Sequence, residues 1–160
     1  MGIVTRYEYD ARGLLTAVIE NACEGAGCLA PANVRTEYAY DAYGNRVEIS
    51  DANRTGGRPS DPTTFAYDEL GRLTDETDPL DHTTAYEYDA GGRRVGTTDA
   101  NGFTTAYEYD GLGRLVFIDY PDPDFDVAFT YDGLGRRLAM DDDIGCTGTA
   151  CRAPSGVQMM

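Results

Sequence analysis

Tyr86-Glu87-Tyr88-Asp89-Ala90-Gly91-Gly92-Arg93, answered 21 residues later by Tyr107-Glu108-Tyr109-Asp110-Gly111-Leu112-Gly113-Arg114, is the stretch that decides how the chain is read. Four more copies can be laid over this pair. They are Tyr7-Glu8-Tyr9-Asp10 with Gly13, Tyr38-Ala39-Tyr40-Asp41 with Gly44, Phe65-Ala66-Tyr67-Asp68 with Gly71, and Phe129-Thr130-Tyr131-Asp132 with Gly135. Ten of the twelve tyrosines lie in this motif, and its second aromatic falls at intervals of 31, 27, 21, 21 and 22 residues. A fixed period of this length marks a repeat architecture, in which each unit buries its apolar face only against its neighbours.

The two long intervals locate the connections. Their surplus residues fall near 21–32, with Cys23, Cys28 and Pro31, and near 54–62, with the turn-forming run Thr55-Gly56-Gly57-Arg58-Pro59-Ser60-Asp61-Pro62. Insertions that spare the motif and collect at one point of the unit map to loops at one edge of a stack.

Each unit reads as a β-hairpin. Alternation of aromatic, small or acidic, and aromatic residues puts both rings on one face of a strand. In Asp-x-x-Gly the carboxylate caps a turn and the glycine takes positive φ. A second strand follows, as in Arg72-Leu73-Thr74-Asp75-Glu76-Thr77. A second turn closes the unit at Asp78-Pro79-Leu80-Asp81 and at Asp99-Ala100-Asn101-Gly102, where the Asn-Gly pair suits a tight hairpin turn. Gly or Pro interrupts nearly every window of ten to twelve residues, which leaves no room for an amphipathic helix. The expected fold is all-β: tandem antiparallel hairpins of about 21 residues in a curved or spiralling sheet. The six-unit array covers residues 1–145, and a cysteine-containing tail covers 146–160.

Rows of motif rings are expected to supply the core, each fully buried large side chain contributing roughly 1.5–3 kcal/mol. A single sheet leaves its first and last strands unpaired unless more protein covers them. The chain is therefore expected to be a piece of something longer, and its ends to associate in isolation.

Composition narrows the function. The net charge of −15 repels phosphate backbones, so nucleic acid is not an expected partner. No run of 18 apolar residues can span a bilayer, and the start Met1-Gly2-Ile3-Val4-Thr5-Arg6 lacks the layout of a signal peptide. Gly91-Gly92 and Gly111-Leu112-Gly113 lack the strand-to-helix context of phosphate loops. His82 is the only histidine and reads as a solvent-facing turn residue. No cofactor, metal or catalytic residue is expected.

The Tyr-x-Tyr-Asp-x-x-Gly-Arg motif at this spacing resembles the RHS/YD-repeat family, from about Thr5 to Asp143. Arg72, Arg93, Arg114 and Arg136 complete the motif, whereas Leu14 and Asn45 replace the arginine, so those two turns are expected to lack its contact. The resemblance implies a fragment of a large hollow β-shell. In bacterial RHS proteins and insecticidal toxin complexes the shell encloses a toxic C-terminal polypeptide, and in animal teneurins a related shell serves adhesion. Nothing here matches the family's closing segment, with its Asp-Pro-x-Gly start and Asn-x-Tyr-x-Tyr-x-x-Asn-Pro end, so cap, cleavage site and toxin are expected to be missing from this chain, as in a truncated or fragmentary gene product. The implied role is a structural, non-enzymatic wall segment of a secreted or cell-surface protein. Its partners would be further YD repeats and an enclosed toxin-like polypeptide. An adhesive or carbohydrate-binding surface, with sugar rings stacking on exposed tyrosines, is the alternative.

Cys23/Cys28 and Cys146/Cys151 form two pairs with the same spacing in Gly- and Ala-rich segments. A local disulfide within each pair is the leading expectation, contributing about 2 kcal/mol, with a shared zinc site or free thiols as alternatives. Asp122, Asp124 and Asp126 alternate and Asp141, Asp142 and Asp143 run together, but Val127 and Gly133 break the EF-hand pattern. All six are expected to be solvated turn carboxylates.

Overall fold

In the computed structural model, residues 4–20, 34–51, 62–122 and 125–141 are described, and they contain twelve β-strands and no α-helix. The strands are β1 Arg6–Tyr9, β2 Leu15–Glu20, β3 Val34–Tyr40, β4 Arg46–Asp51, β5 Thr63–Tyr67 and β6 Leu73–Thr77. They continue as β7 Thr83–Tyr88, β8 Arg94–Thr98, β9 Thr104–Tyr109, β10 Leu115–Asp119, β11 Val127–Tyr131 and β12 Arg137–Asp141. The chain divides into two compact units, Met1–Thr84 and Ala85–Met160. Within each, neighbouring strands pair antiparallel in chain order. Each copy of the motif is the first strand and turn of one hairpin.

All six hairpins share an irregularity that the sequence does not announce. The second tyrosine faces the residue two after the turn glycine, as in Tyr109↔Leu115, and the residue before that tyrosine faces the one four after the glycine, as in Glu108↔Phe117. The residue between, Val116 here and Thr16, Val47, Thr74, Val95 and Leu138 in the other hairpins, has no partner across the pair. This is a β-bulge, which bends and twists the strand locally.

The tight turn explains the glycine. Gly113 N donates to Asp110 O at 2.9 Å, and Asp110 N donates to Arg114 O at 2.9 Å, closing a small loop in which Gly113 has φ of 78°. That conformation costs an L-residue about 1–2 kcal/mol, and glycine avoids the cost. Eight turns among the described residues have this pair of backbone bonds. Six belong to the motif, and two are the inter-repeat turns at Asp78 and Asp99. The Asn101-Gly102 pair therefore forms no two-residue turn of its own. Gly102 N donates to Asp99 O, so the segment is another copy of the Asp-x-x-Gly loop. At the Asp78 turn Asp81 occupies the glycine place with φ of 64°, in keeping with the tolerance of aspartate for left-handed backbone.

Burial corrects the expected core. The fully buried apolar residues among those described are Ala17, Ile19 and Phe117, and none is a motif ring. The motif rings of β3, β5, β7, β9 and β11 are half-buried, while Tyr7 and Tyr9 on β1 are 55% and 61% exposed. Register places Ala17 between Glu8 and Glu37, Ile19 between Arg6 and Arg35, and Phe117 between Glu108 and Ala128. All three lie on the sheet face opposite the rings. Over Ala17 and Ile19 runs a chain of ion pairs, Arg6–Glu8 at 2.8 Å, Arg35–Glu8 at 2.9 Å and Arg35–Glu37 at 2.6 Å, whose aliphatic stems cover the apolar floor.

Candidate functional site

The motif residues converge on the seams between hairpins. The aspartate organises its own turn. Asp110 Oδ1 accepts from Leu112 N and Arg114 N, both at 2.9 Å, and Oδ2 accepts from Arg114 Nε at 2.6 Å. Asp68, Asp89 and Asp132 repeat this pattern with Arg72, Arg93 and Arg136. A carboxylate that accepts several N–H bonds is stabilised in its charged form. The carboxyls of Asp10, Asp68, Asp78, Asp89, Asp99, Asp110 and Asp132 are accordingly held below the usual carboxylate range, chiefly by the backbone N–H four residues on. At Asp41 partial burial opposes the shift, but bonds from Asn45, Tyr43 and Gly44 still lower it.

The arginine then reaches beyond its turn. Arg114 Nη1 donates to Asp132 O at 3.2 Å in the next turn, and its guanidinium lies 4.7 Å from the Tyr131 ring centre. Arg93 does the same toward Asp110 O at 3.4 Å and the Tyr109 ring at 4.9 Å. The second tyrosine returns the contact, because its hydroxyl donates to a carbonyl of the preceding hairpin. These bonds are Tyr40 to Leu15 O and Tyr67 to Arg46 O at 2.9 Å, Tyr109 to Arg94 O at 2.8 Å and Tyr131 to Leu115 O at 2.7 Å. Further arginines lie over the first ring of the next hairpin, Arg46 on Phe65 at 5.2 Å and Arg94 on Tyr107 at 5.0 Å.

Two turns depart from the arginine pattern, and they differ from each other. At the first, Leu14 replaces arginine, yet the turn does not lack the contact. Arg12, two residues earlier, donates through Nε to Asp10 Oδ2 at 3.0 Å and through Nη1 to Asp41 O at 2.9 Å. At the second, Asn45 Nδ2 makes the bond to Asp41 Oδ2 at 2.9 Å, but its side chain is too short to clamp the following turn. The seam opens there into a groove of about 860 Å³ lined by Tyr43, Asn45, Val47, Phe65, Tyr67 and Leu70. A larger groove of about 1030 Å³ lies in the second unit, with Phe103, Tyr120, Phe125, Val127 and Met140 among its walls.

The remaining expected sites fare differently. Cys23, Cys28, Cys146 and Cys151 lie outside the described residues, as do Asp124, Asp142 and Asp143. His82 is exposed in its turn, with Nδ1 3.0 Å from Asp78 Oδ2. Asp126 is not the solvated carboxylate expected. It is 1% exposed, and Oδ1 accepts from Tyr120 N at 2.8 Å, pinning both ends of the connection between β10 and β11. Among the described residues no group of His, Cys, Asp and Glu is placed to hold a metal ion. No helix among them is long and apolar enough to cross a membrane. Sequence reasoning missed Arg12, Asp126 and the bulge positions. Only Arg12 left a signal, an arginine within the turn whose usual arginine is missing.

Repeated hairpins joined by one recurring set of contacts define an all-β tandem-repeat protein. The RHS Repeat family model matches residues 67–104 and 95–124 of the chain. No curated protein matches the chain. Among solved structures, TcdB2-TccC3 without its hypervariable C-terminal region is similar over 91% of this chain, with a TM-score of 0.67 and 21% identity. TcdB2-TccC3-TEV is similar over 87%, with a TM-score of 0.65 and 22% identity. The chain spans 8% of the length of each of these two relatives, and the likeness is one of fold.

Proposed function

We propose that this chain is a non-enzymatic wall segment of an RHS/YD-repeat shell that encloses a toxin or other polypeptide outside the producing cell. The observation that carries the reading is the constancy of the seams. Four of them, β2/β3, β4/β5, β8/β9 and β10/β11, pair the residue four after the turn glycine with the residue before the next motif. The pairs are Ala17↔Glu37, Glu48↔Thr64, Gly96↔Ala106 and Phe117↔Ala128. An interaction that repeats unchanged extends a sheet to any length, which suits a barrier. The motif aspartates Asp68, Asp89, Asp110 and Asp132 are engaged by N–H groups and the arginine of their own turns, which occupies the groups that acid–base chemistry would need.

Protease protection tests the proposal. Polypeptide carried by the protein that contains this array is expected to survive a protease that digests it rapidly once the wall is unfolded. Equal digestion rates with the wall folded and unfolded would rule out enclosure.

A further inference from the structure

The β4/β5 seam keeps the groups that hold an arginine elsewhere, but its own turn supplies an asparagine. Arg114 pairs with Asp110 Oδ2 at 2.6 Å, donates to Asp132 O at 3.2 Å and lies 4.7 Å from the centre of the Tyr131 ring. Arg93 makes the same three contacts with Asp89, Asp110 O and Tyr109. At the β4/β5 seam the counterparts are the Asp41 carboxylate, Asp68 O and the Tyr67 ring. Asp41 is the one motif aspartate whose carboxylate takes no arginine among the described residues; it accepts from Tyr43 N, Asn45 N and Asn45 Nδ2. Because Nδ2 is committed to Asp41, Asn45 turns its Oδ1 toward Gly71, 3.9 Å from where a Cβ would sit. At the same place beside Gly113, at 3.8 Å, Arg93 presents the donor Nη1. A donor has been exchanged for an acceptor.

The groove at this seam is accordingly rich in acceptors. Asp41, Asp68 and Glu69 line it, and no described lysine or arginine does. Arg46 lies over Phe65 as Arg94 lies over Tyr107, so the seam's other arginine is already in its usual place. The rim is apolar, with Tyr43 93% and Leu70 76% exposed. Both walls are internal to the array, since β4 pairs with β5. The groove lies at the motif-turn ends of these strands, and the connection between them joins their opposite ends.

We infer that this groove binds an arginine side chain carried by a second polypeptide. The guanidinium pairs with the Asp41 carboxylate, donates to Asp68 O and Asn45 Oδ1, and lies on the Tyr67 ring, as Arg114 does from within the chain at Tyr131. Its planar fork of donors suits this set better than the point charge of lysine. A volume of about 860 Å³ exceeds what one side chain fills, and the residues flanking the arginine rest on Tyr43 and Leu70. This inference goes beyond the wall reading and does not require an enclosed polypeptide.

Nuclear magnetic resonance of the full, isotope-labelled chain tests it, with the capped tripeptide leucyl-arginyl-leucine as the probe. Saturable shifts are expected at the amides of Tyr67 to Gly71, and none at Gly113, whose place Arg93 fills. Replacing the arginine of the probe by citrulline, its neutral isostere, is expected to weaken binding about tenfold or more, the effect of losing a hydrogen bond to a charged group. Capped arginine without its neighbours is expected to bind about fourfold more weakly or less, the effect of about one buried methylene. Asn45→Arg seats an arginine from the chain's own turn and is expected to abolish binding while keeping the β-sheet circular dichroism of the parent. Absence of saturable shifts would overturn the inference, as would a folded Asn45→Arg chain that binds undiminished. Equal affinity for the citrulline peptide would overturn the guanidinium, and that comparison needs no variant. Equal affinity for capped arginine would overturn the polypeptide.

Discussion

Phe117→Ala is expected to destabilise the second unit by about 3–5 kcal/mol in denaturant unfolding followed by circular dichroism. Phe117 is 3% exposed and is the largest of the three fully buried apolar side chains. Its strand neighbours, Glu108 and Ala128, include only one apolar side chain, and it is a single methyl. The space left by the ring therefore has little to collapse into it, and the cavity adds to the lost transfer free energy. Against a typical domain stability of about 5–15 kcal/mol this is a large fraction. Phe117→Leu retains most of the volume and is expected to cost less than about 1.5 kcal/mol. If the alanine variant costs under about 1 kcal/mol, the face opposite the rings does not hold the core.

Acid is expected to unfold the chain steeply. Eight turn aspartates, Asp10, Asp41, Asp68, Asp78, Asp89, Asp99, Asp110 and Asp132, have carboxyls lowered by the N–H bonds they accept, and Glu8 is lowered by Arg35 and then Arg6. A group whose folded value lies below its unfolded value favours the folded state in full above the unfolded value. That contribution is lost as pH falls through the folded value. With an unfolded aspartate near about 3.9, thermal midpoints should be level above about pH 5 and should drop increasingly below about pH 4. Neutralising a chain of net charge −15 also relieves self-repulsion, which works in the opposite direction. That repulsion acts over distances that salt screens, with a Debye length of about 8 Å at physiological ionic strength, whereas the turn bonds are local. Loss of the turns should therefore dominate in physiological salt. A midpoint that rises on acidification to about pH 3 would mean that repulsion outweighs the turn network.

Much of this fold is written in local sequence, because its turns are local objects. Asp89 and Gly92 lie three residues apart and meet in one hydrogen-bonded loop, so residue type and spacing suffice to recognise it. Ring alternation is equally plain, since Phe65, Ala66 and Tyr67 follow the half-buried, exposed, half-buried pattern of a two-faced strand. What escaped depends on partners distant in the chain. The bulge at Val116 is a property of register with β9 and leaves no compositional mark. Stacking of rings from successive hairpins predicts their burial. In the structure the hydroxyls of Tyr109 and Tyr131 reach backbone carbonyls of the preceding hairpin, an arrangement compatible with half-burial. Asp126 was indistinguishable from Asp122 in sequence, and only the folded connection shows it turned inward.

The turn and seam contacts also differ in kind. Asp110 and Arg114 hold a turn that belongs to one hairpin, while Arg114 and Tyr131 belong to two. The account stands on the second sort of contact, because a lone hairpin is marginal in water and must draw its stability from the next.

A double-mutant cycle on Arg114→Met and Tyr131→Leu measures that contact alone, since it cancels what each residue does elsewhere. The predicted result is a coupling of about 0.5–1 kcal/mol in favour of the native pair, the range for a cation over an aromatic face at a partly exposed site. Strictly additive effects would contradict the claim that successive hairpins are fastened to each other through arginine and tyrosine.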